Sequence, residues 1–314
     1  MAEKLRIMNT KIKNTNVEDL LFFDMECVRS QKELDVNSDE FVLFQYKNRN
    51  RETGELLPDT EVVELYKKTA ALSPVYGKVV CATIGFLKGT TFHTKSFTGE
   101  EKDILTNLFE TLNGERCANK AITGFNHIPF DLNYITLRAA ACGVETTLRE
   151  SANPLGKKEW NMTDKNLDLM LLLKGTGFYN LSLNEVAFLL GVKSPKDDID
   201  GSQVSDVFYS EGVDRIAKYC AKDVQCVAEI FLALQGKKNF ITEVVDKSDA
   251  PMEKTSILKA IGISKSITEK QQEFLLQSCV KDTKKNKKEL AIILKGLLAD
   301  EAKNYVEFLK SVEK

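Results

Sequence analysis

Histidine is scarce in this sequence, and its cysteines are dispersed. Only two histidines are present, His93 and His127, and the seven cysteines form no CxxC pair. A structural zinc site needs four such side chains, usually at close spacing, so this class of site is disfavoured. Most of the cysteines fall within apolar segments, which predicts reduced core thiols in a cytoplasmic protein.

Long apolar runs are also missing. No stretch is long enough to cross a bilayer, and the N-terminus lacks the apolar region of a signal peptide. The formal net charge of −2 gives no overall basic surface for nucleic acid. A hydrophobic fraction of 43% and a charged fraction of 29% are typical of a globular protein with a substantial core. The composition therefore predicts a cytoplasmic protein without a membrane partner.

Two carboxylates interrupt an apolar run near the N-terminus. The stretch 20–28 reads LLFFDMECV, which predicts a buried β-strand carrying Asp24 and Glu26. Because side chains alternate along a strand, both carboxylates point to the same face. Buried carboxylates need a cationic partner, and the run holds no Lys or Arg, which indicates a metal ion. A strand end that emerges into solvent would explain the two acids about equally well.

Two later segments place further carboxylates at the ends of predicted elements. Gly124 and Pro129 fit a strand-to-helix turn, which puts Asp131 in the first turns of a helix. Tyr219 and Asp223 are four residues apart and share one face of a predicted helix. Taken alone, each has an ordinary interpretation, because acids are favoured near helix N-termini and such pairs are common on helices.

Together, the three segments resemble the DEDD exonucleases, in the branch that has a tyrosine in its last motif. The phrases Phe-Asp-Met-Glu, Gly-Phe-Asn-x-x-x-Phe-Asp-Leu and Tyr-Cys-x-x-Asp-Val are most similar to stand-alone 3′–5′ exonucleases related to the proofreading domain of family-B DNA polymerases. The resemblance extends over residues 17–236 and includes Leu-Asp-Leu-Met around Asp168. The histidine branch is excluded, because both histidines precede residue 130.

This resemblance implies an α/β fold of the ribonuclease-H-like type, a mixed sheet flanked by helices. We expect residues 1–244 to form the exonuclease domain and residues 245–254 to form a linker. An amphipathic stripe predicts a C-terminal helical extension over residues 255–314. The extension would either dock a partner or pack on the exonuclease domain.

Hydrophobic periodicity predicts the individual elements. A hairpin is expected over 78–87 and 90–97, with a short strand at 121–126. Helices are expected near 61–71, 100–112, 127–141, 166–174, 182–190 and 213–234. Residues 29–60 are charged and turn-rich, and we interpret them as a long excursion from the sheet.

The resemblance also implies roles for the site residues. The carboxylates of Asp24, Glu26, Asp131 and Asp223 would hold two divalent ions, Mg²⁺ or Mn²⁺. The hydroxyl of Tyr219 would orient the attacking water rather than act as a strong base, because a phenol titrates near pH ~10.

Substrate contacts are expected from other residues. Phe125 and Asn126 would line the pocket of the terminal nucleotide, although Phe125 is equally consistent with a core residue. Met25 and Asp168 are also predicted to bind substrate. Four basic residues would follow the phosphates of the strand or belong to a solvated loop: Arg29, Lys47, Arg49 and Arg51.

The implied activity is hydrolysis of single-stranded DNA, or of frayed DNA 3′ ends, with release of nucleoside 5′-monophosphates. No polymerase region follows residue 236, so proofreading would act in trans, with a separate DNA polymerase or with self-association through the C-terminal helices. Replication and repair are the expected settings, in a nucleoid or a phage-infected cytoplasm. The alternatives are an exoribonuclease that trims RNA 3′ ends and a catalytically silent scaffold that binds nucleic acid or a polymerase.

Overall fold

The computed structural model describes residues 12–144, 166–174, 177, 181–194 and 199–248. Within these residues, six strands form one mixed sheet in the order β5-β4-β1-β2-β3-β6. The strands are β1 (Leu20–Arg29), β2 (Gly77–Lys88), β3 (Thr91–Thr98), β4 (Ala121–Gly124), β5 (Asn166–Asp168) and β6 (Glu243–Asp246). The predicted α/β architecture is confirmed, and it is consistent with a ribonuclease-H-like fold.

Helices flank this sheet. In the described part of the chain they are α1 (Asp39–Lys47), α2 (Asp59–Thr69), α3 (Glu101–Asn113), α4 (Glu115–Ala118), α5 (Asp131–Ala141), α6 (Leu169–Lys174), α7 (Leu183–Leu190), α8 (Val204–Glu211) and α9 (Asp214–Leu234). Helix α7 begins with a capping box, in which the side chains of Ser182 and Glu185 each accept a hydrogen bond from the other residue's backbone N–H. None of the described helices is long and apolar enough to cross a membrane.

Strand β1 lies in the middle of the sheet. It pairs antiparallel with β2 and parallel with β4, and β4 pairs parallel with β5. In the register, Phe22 is opposite Thr123, and Gly124 is opposite Asp168. The carboxyl ends of three neighbouring parallel strands therefore lie together at one end of the sheet.

The alternation of β1 side chains divides the core between the two faces of the sheet. Leu20 and Phe22 pack in one cluster with Val224 and Phe231 of α9. Leu21, Phe23 and Met25 pack in another cluster, against α3 and α5 on the opposite face. Asp24 and Glu26 continue the even-numbered series, so they project toward the face that α9 covers.

Several predicted elements need correction. Residues 166–174 do not form one helix, because Asn166–Asp168 pairs with β4 as a strand and only Leu169–Lys174 is helical. The helix predicted from residue 127 begins at Asp131, after a turn. The excursion after β1 contains a helix, α1, that its polar composition concealed.

The C-terminal predictions lie mostly outside the described residues. Strand β6 pairs with β3 across residues 243–246, at the point where the linker was predicted to begin. The remainder of the predicted linker beyond residue 248, and the helical extension at 255–314, lie outside the part of the chain that the structure describes.

Candidate active site

The first pair of candidate ligands lies on β1. Both Asp24 and Glu26 are half-buried, on the face covered by α9. The Cys220 thiol of α9 donates a hydrogen bond to Asp24 Oδ2 over 3.5 Å. One potential ligand atom from each of Asp24, Glu26 and Cys220 lies within 4.8 Å of the others. The strand and the helix thus bring their polar groups to a single point.

Helix α9 contributes the last motif. Tyr219 and Asp223 are one helical turn apart, as their spacing predicts, and are 7% and 9% exposed. The Tyr219 hydroxyl donates a hydrogen bond to the Asp223 carboxylate. Burial, the nearby carboxylates of Asp223 and Glu26, and this hydrogen bond all raise the pKa of Tyr219 well above its usual value. The phenol is therefore neutral near pH 7.

Asp131 is the first residue of α5, which packs on the face of the sheet opposite α9. It is 5% exposed, and burial raises its pKa to about 7. Three groups lower the pKa of Asp131 and so oppose this rise: the neighbouring His127, the backbone N–H of Asp131 itself and the backbone N–H of Met25. The pairing of β1 with β4 ends at Phe22, so in the described structure the Met25 N–H faces Asp131 rather than a strand.

These carboxylates repel one another. Burial raises the pKa of Asp24, and the charges of Asp223 and Asp131 raise it further. The same causes act on Glu26, where burial is followed by the charges of Asp24 and Asp223. Among the described residues, no Lys or Arg forms an ion pair with Asp24, Glu26 or Asp131. Buried acids without a counter-charge favour binding of a cation.

The chemistry of the donors indicates which cation fits. Carboxylate oxygens are the ligands that Mg²⁺ and Mn²⁺ prefer. The Cys220 thiol is a softer donor, and burial together with the neighbouring Cys81 raises its pKa well above the usual value. A protonated thiol is a poor metal ligand, so Cys220 acts here as a hydrogen-bond donor to Asp24. The residues present fit a hard divalent ion.

A turn built on Asp168 sets the position of Asp131. The Asp168 carboxylate accepts hydrogen bonds from the backbone N–H groups of Asn126, Ile128 and Leu171, at 3.0, 3.0 and 3.1 Å. Asn126 adopts a left-handed conformation with φ of 66°. Because Oδ1 and Oδ2 each hold N–H groups of this turn, the loop between β4 and α5 has a single defined path.

Gly124 allows the close approach that this turn needs. A Cβ at Gly124 would lie 2.8 Å from the ring carbon and Cβ of His127 and from the carbonyl oxygen of Phe23. The buried His127 ring approaches Asn166 Oδ1 at 2.6 Å through Nε2 and Asp168 Oδ2 at 3.4 Å through Nδ1. From the sequence we expect this histidine to be a structural or pocket-rim residue rather than a catalyst, and it packs, buried, beneath the loop that leads to Asp131.

The structure brings together the five residues predicted to be catalytic: Asp24, Glu26, Asp131, Tyr219 and Asp223. Their individual roles remain predictions. The site residue that the sequence did not single out is Cys220, beside Asp24. The i,i+1 placement of Cys220 after Tyr219 gave no signal, because adjacent helix positions point in different directions.

The predicted substrate contacts are placed less uniformly. The Met25 side chain is buried in the core on the opposite face, so only its backbone reaches the site. Asp168 is 0% exposed, which leaves it no surface for a nucleotide and makes it a positioning residue. Phe125 packs partly against the core, and Asn126 is held through its backbone N–H. Whether Phe125 and Asn126 contact substrate stays a prediction.

Comparison with known proteins gives one result of consequence. No curated protein matches the chain. A family model matches residues 72–279, a range that contains Asp131, Asp168, Tyr219 and Asp223 but begins after Asp24 and Glu26. Since this range covers most of the chain, the protein belongs to the family of predicted 3′–5′ exonucleases related to the exonuclease domain of PolB.

Proposed function

We propose that the protein hydrolyses single-stranded DNA from its 3′ end and releases nucleoside 5′-monophosphates. The observation that carries this proposal is the convergence of four acids from three separate elements. The charges of Asp223 and Asp131 raise the pKa values of Asp24 and Glu26, and no Lys or Arg among the described residues pairs with Asp24, Glu26 or Asp131. Such an arrangement costs stability, and it is consistent with binding of divalent cations beside an anionic substrate.

Asp24, Glu26, Asp131 and Asp223 would hold two Mg²⁺ or Mn²⁺ ions. When bound, such ions stabilise the attacking and leaving oxygens of a phosphodiester and lower the pKa of a water molecule. The mutual repulsion of the carboxylates supports this assignment, since only added positive charge relieves it. The Cys220 thiol would keep Asp24 oriented by donating to Oδ2.

Tyr219 would hold the attacking water. Its neutral hydroxyl already donates to Asp223, so its oxygen can accept a hydrogen bond from water. Its raised pKa keeps the hydroxyl protonated, so it does not act as the base, and the proton of the water would leave through a carboxylate or solvent. Phe125 and Asn126, at the entrance to the turn, would contact the terminal base.

The setting that we propose is DNA repair or proofreading in trans, in the cytoplasm, together with a separate polymerase. Degradation of RNA would use the same carboxylates, because the 2′-OH is distinguished by the shape of the pocket. A silent scaffold would not need to retain all four acids and Tyr219 together, so we place it third.

A single assay separates these readings. A 5′-labelled DNA oligonucleotide with a free 3′ end, and its RNA counterpart, are incubated with Mg²⁺, Mn²⁺ or EDTA. We expect stepwise, metal-dependent shortening of DNA, abolished in Asp24→Ala and unchanged in Glu110→Ala, an exposed acid of α3. Faster shortening of RNA would move the function to RNA trimming. If neither DNA nor RNA is shortened, the enzymatic proposal is contradicted.

A further inference from the structure

In the structure, the excursion predicted over 29–60 extends over residues 30–76, the whole connection between β1 and β2. It begins and ends beside the candidate active site. It leaves the sheet after Arg29 and returns at Gly77, and these two residues are paired in the register. Glu26 lies three residues before Arg29, which is roughly 10 Å along a strand. Whatever the excursion binds near its base is therefore close to the carboxylates.

Helix α1 is attached to the end of β1 by a polar cluster. Glu40 Oε1 accepts hydrogen bonds from the hydroxyls of Ser30 and Tyr66, both at 2.6 Å. Glu40 Oε2 accepts from the side-chain amide of Gln31 at 2.5 Å. The inner face of α1 is buried through Phe44, which packs edge-on against Tyr66. This helix is therefore fixed in place rather than loosely tethered.

The outer face of α1 is apolar and exposed. Val42, Leu43 and Tyr46 are 62%, 52% and 57% exposed, and Tyr46 is a surface neighbour of both others, which precede it by four and three residues. The guanidinium of Arg49 lies 3.9 Å from the centre of the Tyr46 ring. One face of this ring is covered by a cation, so its exposed area lies on the other face and the edge.

The segment that follows is locally basic. Residues 46–51 read YKNRNR, with three cations and no acid. The Lys47 ammonium lies over the Tyr76 ring, whereas Arg51 is exposed, and no carboxylate among the described residues pairs with Lys47, Arg49 or Arg51. The excursion as a whole has nine acidic and six basic residues over 30–76, so attraction of an anion is confined to this segment.

We propose that Tyr46, Arg49 and Arg51 form a second binding site for the substrate strand, on the 5′ side of the nucleotide being removed. A base would stack on the free face of Tyr46, and the two arginines would contact adjacent phosphates. The proposal rests on the proposed function, because the occupant is the same single strand. The basic segment favours nucleic acid over a protein partner on this face, and the stacked guanidinium does so as well.

Binding and catalysis are measured separately. The binding assay uses fluorescence anisotropy of a labelled 12-nucleotide single strand with Mg²⁺, in an Asp24→Asn background that prevents cleavage. Tyr46→Ala is expected to weaken binding about tenfold, the typical effect of losing one stacked base. Tyr46→Phe keeps the ring and should bind as the parent does, and Arg51→Ala should reduce the salt dependence.

The catalytic assay uses the otherwise unmodified protein. Tyr46→Ala should raise KM for the 12-nucleotide strand about tenfold without changing kcat. It should leave hydrolysis of the p-nitrophenyl ester of thymidine 5′-monophosphate unchanged, because this substrate does not reach α1. Lys102→Ala, an exposed cation of α3, serves as the charge control and should behave as the parent in every assay.

The outcomes distinguish this proposal from the proposed function. Unchanged strand binding in Tyr46→Ala would overturn the second site and leave the nuclease intact. A parallel fall in hydrolysis of the small ester would overturn it too, since Tyr46 would then act through the fold. If strand binding depends on Tyr46 but the protein shows no metal-dependent cleavage, the second site is supported and the proposed function is contradicted.

Discussion

Two acids at the same end of the sheet, Asp24 and Asp168, differ in how the protein satisfies them. Asp168 accepts hydrogen bonds from three backbone N–H groups and lies beside His127. Burial alone would raise the pKa of Asp168, but these partners outweigh it and lower the pKa below its ordinary value. Burial raises the pKa of Asp24, and its neighbours Asp223 and Asp131 raise it further.

This difference separates an acid that builds the fold from acids that the fold leaves unsatisfied. The charge of Asp168 is compensated by groups of the chain itself, so it stabilises the loop that carries Asp131. The charge of Asp24 has a thiol as its hydrogen-bond donor and other acids as neighbours. Uncompensated acids of this kind are characteristic of functional sites, where an added ion or substrate supplies what is missing.

The largest expected effect comes from neutralising Asp24. Asp24→Asn keeps the shape of the side chain but removes a charge that would hold a metal ion, so activity should fall on the order of 10³-fold. The same change relieves repulsion, and the metal-free protein should gain about 1 kcal/mol in free energy of unfolding. Nuclease assays and urea unfolding in EDTA measure the two effects.

Loss of activity together with loss of stability in Asp24→Asn would break the comparison. It would mean that Asp24, like Asp168, is needed by the fold itself.

The second effect is the opposite behaviour of Asp168. Asp168→Ala leaves three buried N–H groups without their acceptor, so the free energy of unfolding should fall by about 3 kcal/mol. Asp168→Asn retains one oxygen and should lose about half as much. Urea unfolding in EDTA at pH 7 gives both values, and a stable Asp168→Ala protein would show that the turn holds without its acid.

The smallest effect is a pH dependence with a defined sign. Asp131 has a folded-state pKa of about 7 against an ordinary value of 3.8, so the folded state binds more protons between these two values. The contribution of Asp131 to stability in EDTA should therefore be fully present below pH 3.8 and be lost as the pH rises through about 7.

The lowered pKa of Asp168 acts in the reverse direction, since its contribution is present above the ordinary value and is lost in stronger acid. Saturating Mg²⁺ should remove the decline near pH 7, because the ion binds the ionised carboxylates of the folded state. Thermal unfolding at pH 5 and pH 8, with Mg²⁺ or EDTA, measures this. An Asp131→Asn protein should show a weaker decline, and an equal decline in that variant would refute the assignment to Asp131.

Local periodicity predicted much of the site from sequence. The alternation in LLFFDMECV put Asp24 and Glu26 on one face, and the same alternation should have placed Met25 on the other face, in the core. The four-residue spacing placed Tyr219 and Asp223 together on α9. Rules of this kind succeed because each depends only on the geometry of a single element.

Features that depend on distant contacts were not predictable in this way. Asn166–Asp168 became a strand because β4 lies beside it, although its leucine-rich continuation favours a helix. The role of Asp168 follows from the directions of N–H groups in a left-handed turn, which no spacing encodes. Helix α1 is stabilised by the buried aromatic rings of Tyr66 and Tyr76, far along the chain.

The length of the excursion also affects the entropy cost of pairing β1 with β2. Strands β2 and β3 are joined by a two-residue turn with Gly89 in the left-handed region, whereas β1 and β2 are separated by residues 30–76. Loop-closure entropy grows with the logarithm of length, so joining β1 to β2 costs about 3 kcal/mol more than forming the hairpin. The pairing of β1, which bears Asp24 and Glu26, with β2 thus carries this larger closure cost, and the aromatic cluster beneath α1 offsets it.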